Sequence, residues 1–185
     1  MSPCRTGDAT NILFAFLNGE AFDYIGSSRM VYDMTEKAFP AKVEDGDFKN
    51  GHQPPLELNH IKEIITLGQL YNSASDNLFA HTDTSFSDRE MIRELKARFR
   101  GTLQDATGDK GLPPSSIQSF LKKSKSIPGV HISDFDQEYT NKFFHGIFDT
   151  AKAWLPDGYK QIFRNVCVRP FGLLDYGSAM LRRKI

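Results

Sequence analysis

The chain has 185 residues, enough for one domain with a sizeable core. Its 39% hydrophobic and 25% charged content is that of an ordinary globular protein, and 23 basic against 23 acidic residues leave a formal net charge of zero. A balanced chain lacks the global field that draws in nucleic acid or anionic membrane, so no nucleic-acid partner is expected.

Two cysteines, Cys4 and Cys167, make neither a disulfide framework nor a zinc site by themselves. The apolar run Ile12 to Leu17 is too short for the core of a secretory leader, and no stretch approaches the ~20 apolar residues of a transmembrane segment. The expectation is a soluble protein, cytoplasmic or exported without a recognisable signal peptide. With 15 Phe, 6 Tyr and one Trp, its core should be built on rings.

Helical periodicity dominates in chain order. Thr10 or Asn11 caps a first helix over Ile12 to Leu17, and Gly19 stops it. Ser28 caps a second through Phe39, with Met30, Val31, Met34 and Ala38 on one face. Three prolines and two glycines make residues 40–55 a long irregular loop. Leu56 to Leu70 carries a helical stripe of Leu58, Ile61, Ile64 and Ile65. Ser87 caps a helix through Gln104, striped by Met91, Ile92, Leu95, Phe99 and Leu103. Pro113 starts the next, with Ile117, Phe120 and Leu121 inside. Ser133 caps a long helix to Leu155, with Asp136 as capping acid and Phe135, Tyr139, Phe143 and Ile147 on its face. A short helical piece around Tyr159 to Arg164, an extended patch Val166 to Val168 and a last helix from Leu173 complete the chain. The predicted architecture is mainly α, one compact domain over 1–185 with six to eight helices.

The stretch QDATGDKGLPPSS, Gln104 to Ser116, raises a metal question. Asp105, Thr107 and Asp109 alternate as oxygen donors, Leu112 follows, and over about 35 residues the segment resembles an EF-hand, which implies calcium. Lys110 replaces the loop glycine, and Ser116 replaces the bidentate glutamate. The apolar residues of the preceding helix are also about 200° out of phase. A polar turn therefore outweighs a degenerate calcium loop at 105–116, and no cofactor is predicted.

His81-Thr82-Asp83 has the His-x-Asp form used with a distant histidine, here His131 or His145, by non-haem iron oxygenases. A polar loop ahead of the Ser87 cap is the plainer reading. His145 with Cys167 offers a base and a nucleophile. That pair distantly resembles the L,D-transpeptidase pattern, with Arg164-Asn165-Val166 in place of its Ser/Thr-x-Gly. Glu20, at the end of an early helix, is placed like the acid of lysozyme-like hydrolases. Val168 to Tyr176, VRPFGLLDY, resembles a tail motif of bacterial polymorphic toxin domains, which implies a bacterial effector.

The reading preferred from these residues is a helical protein that acts by binding a protein partner, with no catalytic constellation identified. The alternative is an effector or toxin-like hydrolase of cell-wall or amide substrates, using Glu20 or Cys167 with His145. Whether the chain is an enzyme, and in what oligomeric state it works, is left open at this level.

Overall fold

A computed structural model describes residues 12–40, 55–70, 77–83, 89–99, 101–107, 111–139 and 141–149. The Cys4 and Cys167 positions, the Ser87 cap, most of the 40–55 loop, Asp109 and everything from 150 onward lie outside the described residues.

The order of elements is α1 (Ile25–Thr35), a 3-10 turn (Leu58–His60), β1 (Ile64–Leu67), β2 (Leu78–Thr82), α2 (Arg89–Arg98), β3 (Leu103–Asp105), α3 (Ile117–Lys123) and β4 (Gly129–Ser133). Four strands form one mixed sheet in the order β1-β4-β2-β3. β1 runs parallel to β4 with Ile64 opposite Gly129, β4 antiparallel to β2 with His131 opposite His81, and β2 parallel to β3 with Leu78 opposite Leu103. The expectation of a mainly α protein with six to eight helices is therefore wrong. Three α-helices and a sheet make this an α/β fold among the described residues.

Each misread segment has a local cause. Ile64-Ile65-Thr66 is a β-branched run, stiff at χ1 and suited to a pleated surface, so the predicted helix over 56–70 gives way to a 3-10 turn and a strand. The helix predicted to reach Gln104 stops at Arg98. Gly101, at φ +84°, then reverses the chain, and Leu103 pairs into the sheet.

Ser133 does not cap a helix but closes β4, all five residues of which are buried. Beyond it, residues 134–139 and 141–149 run in bends and turns, and the ring spacing read as a helical face there has another use. Asp136 is not a capping acid, because its carboxylate accepts from the Thr107 N–H and hydroxyl. Residues 12–17 form no helix. They run irregularly, with Phe16 97% exposed.

Other expectations come closer. α1 begins at Ile25 rather than beyond Ser28, yet Met30, Val31 and Met34 are buried on its inner face. α3 begins at Ile117, later than Pro113 suggested, and buries Ile117, Phe120 and Leu121.

Side chains alternate across a strand, so the sheet has two faces. On one, Leu78, Ala80, Leu103, Val130 and Ile132 pack with Met91, Leu95 and Phe99 of α2 and its C-terminal turn. Met30, Val31 and Met34 of α1 join Phe120 of α3 and Ile64 in a second cluster. Gly129 is required where α3 crosses β4, because a Cβ there would run into the Ile117 side chain. By strand alternation, His131, His81 and Ser133 share the sheet face that α3 crosses at Gly129.

Candidate functional site

The turn that delivers the chain into α1 carries Glu20. Its Oε1 accepts from the Ser27 N–H at 3.1 Å and from the Ser116 hydroxyl at 2.9 Å, while Oε2 accepts from the Ser27 hydroxyl at 3.4 Å. Ser27 Oγ lies 2.8 Å from Ser119 Oγ, which is also 3.2 Å from Ser28 Oγ. One carboxylate and four hydroxyls thus join the entry turn, the first turn of α1 and the start of α3.

Local sequence explains the placement. Asp23 and Tyr24 adopt positive φ, 53° and 58°, which turns the chain sharply into α1. A Cβ on Gly26 would collide with the Asn18 carbonyl, so only glycine lets the incoming chain pass this close.

Tyr24 stands beside this hub. Burial, followed by the charges of Tyr139, Glu20 and Asp23, pushes its phenol up to about 12. Burial likewise raises Tyr139, whose hydroxyl donates to the Pro114 carbonyl at 3.2 Å. From Tyr139 a run of rings leads inward through Phe135, at 4.5 Å, to His81, at 5.1 Å, and to His131, at 6.0 Å. Outward it continues to Phe144, at 5.5 Å, and to His145, at 4.1 Å. The aromatic spacing of 135–144 therefore builds a stack through turns.

His81 belongs to β2 and is buried, not part of a polar loop before a helix. Its Nε2 lies 2.9 Å from the Phe135 carbonyl, which can only accept, so this nitrogen carries the proton. Ser133 Oγ is also 2.9 Å from that nitrogen. His131 Nδ1 meets Thr66 Oγ1 at 2.9 Å, and the ring packs so closely on Gly68 that no Cβ fits there. Burial, reinforced by His81, pushes the His131 imidazole down to about 3, and burial also lowers His81. Burial thus disfavours the charged form of both imidazoles, and each ring meets a neighbouring hydroxyl, His81 that of Ser133 and His131 that of Thr66.

The other predicted site residues are scattered. Asp105 is the last residue of β3 and pairs with Lys96, while Thr107 bonds Asp136, so two of the proposed calcium donors engage other side chains. The segment leading into Asp105 is a strand and not the entering helix of an EF-hand. Asp83 follows β2 directly. No three His, Cys, Asp or Glu side chains converge as a metal would need, among the described residues.

His145 is exposed at φ +61°, with its backbone N–H donating to Asp149, and a pairing with Cys167 falls outside the described residues. Among the described residues, Glu20 is a candidate built into a cluster of serine hydroxyls. Sequence reading missed its partners Ser27, Ser116 and Ser119 and the neighbouring Tyr24. The visible signal was the run Tyr24-Ile-Gly-Ser-Ser28, whose glycine and hydroxyls precede a strong apolar stripe.

These features define an α/β domain with a mixed sheet and a carboxylate bonded by Ser27 and Ser116 where α1 meets α3. Residues 2–157 match the family model of the nicastrin large lobe, and the chain belongs to the nicastrin family. It is 34% identical over 154 residues to the nicastrins of Rattus norvegicus and Homo sapiens, covering 77% of this chain and 20% of each relative. The Caenorhabditis elegans nicastrin is 26% identical over 168 residues, covering 84% of this chain and 22% of that relative. The chain thus spans about a fifth of the length of the curated relatives it matches.

A crystal structure of the γ-secretase component nicastrin superposes with a TM-score of 0.56 at 26% identity, covering 84% of this chain and 30% of that one. Family membership overturns the alternative of a bacterial effector or toxin-like hydrolase, and the shared α/β fold overturns the all-helical protein expected first.

Proposed function

We propose that this chain forms a binding lobe of a γ-secretase-type assembly and that its partner there is a protein. The observation that carries this reading is the match of residues 2–157 to the nicastrin large lobe, whose solved relative is described as a γ-secretase component. Geometry supports binding over catalysis at Glu20. Three donors converge on its carboxylate, and general acid–base work there would first have to break those bonds. The reading favours the exported alternative over the cytoplasmic one.

The test is native electrophoresis of the tagged protein from gently solubilised cells. Migration in a high-mass complex that carries γ-secretase activity is expected. Recovery of the protein wholly apart from that activity overturns the proposal.

A further inference from the structure

Asn18 is followed by Gly19, and together they close the exposed run that leads into the Glu20 turn. The Gly19 N–H donates to the side chain of its own neighbour, 2.8 Å from Asn18 Oδ1. That oxygen is bonded to the carboxamide carbon, so the backbone nitrogen stands beside the carbon it would attack. Gly19 lies outside every helix and strand, and no ladder hydrogen bond holds its nitrogen away. Its φ of +78° is open to glycine, and the missing Cβ leaves the nitrogen unshielded and the backbone free to rotate. Asn18 itself is exposed to water.

We propose that Asn18 is a deamidation site whose modification rewrites the charge and backbone geometry beside Glu20. The Gly19 nitrogen forms a bond to Asn18 Cγ and gives up its proton to water or hydroxide. The carboxamide nitrogen departs with a proton as ammonia, and a succinimide ring closes. Water then opens the ring at either carbonyl and leaves aspartate or isoaspartate. One water enters, one ammonia leaves, and no oxidant or cofactor takes part.

Both products place a new carboxylate two residues from Glu20. The isoaspartate product also lengthens the main chain by one carbon where the Asn18 carbonyl already packs against Gly26 too tightly for a Cβ. That contact has no slack, so the isoaspartate form displaces the start of α1. Ser27, the next residue, supplies two of the donors to Glu20. The hub therefore registers the modification.

Peptide mapping by mass spectrometry, after incubating the folded protein in warm, mildly alkaline buffer, tests this. A one-dalton gain placed at residue 18 by fragment ions is expected, with one of two chromatographic products labelled by protein isoaspartyl methyltransferase. The gain is lost in Asn18→Gln, whose ring closure would need a larger ring, and circular dichroism verifies that this variant folds. Asn59, Asn77 and Asn141, each followed by a residue with a side chain, remain unmodified over the same time. Modification of Asn18 no faster than these three, or only after the chain is denatured, overturns the proposal.

Discussion

Glu20 and Ser116 are 96 residues apart in sequence, yet the serine hydroxyl donates to the glutamate carboxylate at 2.9 Å. This bond fastens the turn ahead of α1 to the residue that opens α3. It also assigns Glu20 a role that does not require catalysis, because a carboxylate held by Ser27 and Ser116 organises the junction of two helices.

Glu20→Ala leaves the Ser27 and Ser116 donors without their acceptor and should cost about 1–3 kcal/mol. Ser116→Ala should cost less, about 0.5–1.5 kcal/mol. Chemical denaturation of both variants and their double mutant should reveal a coupling of at least ~0.5 kcal/mol. Strict additivity would show that the pair contributes nothing jointly.

Stability should fall with acid because of His131. Its imidazole is pushed down to about 3 in the fold, against 6.5 for the unperturbed group. Between those values the unfolded chain binds the proton and the folded chain does not. The contribution is therefore complete above pH 6.5, declines as pH falls toward 3 and changes no further below that. Its slope is at most about 1.4 kcal/mol per pH unit. Denaturation midpoints measured across this range should flatten in His131→Gln relative to the parent, and parallel curves would refute the assignment.

Leu95→Ala, which opens a cavity between α2 and the sheet, should cost about 2–5 kcal/mol, whereas Phe16→Ser should change stability by less than about 0.5 kcal/mol. The two side chains are 0% and 97% exposed. Thermal unfolding distinguishes them. A large loss from the serine variant would mean that the run of residues 12–17 is packed after all.

Gly26→Ala should destabilise the start of α1 even though alanine is the better helix former, because the added methyl meets the Asn18 carbonyl. Hydrogen exchange at Ser27 and Ser28 should quicken relative to the middle of α1. A stabilised variant would show that the approach is looser than the backbone indicates.

Much of this fold was hidden from a reading of periodicity. A stripe of apolar residues three and four apart marked Met30, Val31 and Met34 on α1 and Leu95 and Phe99 around α2, where one helix face meets one core. Short strands buried on both sides carry no alternation to detect. β4 reads Gly-Val-His-Ile-Ser, and every residue in it is covered. The four residues of β1 likewise fitted a helical stripe as well as a strand. Glu20 stood out as a carboxylate beside a helix, but nothing near it in sequence announces Ser116 or Ser119.

By itself, the order of residues determined which side chains seek burial, where glycine must turn or admit the chain, and that Asn18 stands next to an unshielded nitrogen. Those properties are local, set by side-chain volume, by φ preference and by the bond to the next residue. The tertiary structure alone decided that Ile64 and Gly129 lie side by side in a sheet, that two buried histidines face each other across neighbouring strands, and that three donors close around Glu20. Strand partners and hydrogen-bond acceptors are chosen by chain closure across dozens of residues, where backbone groups taken out of water must find one another.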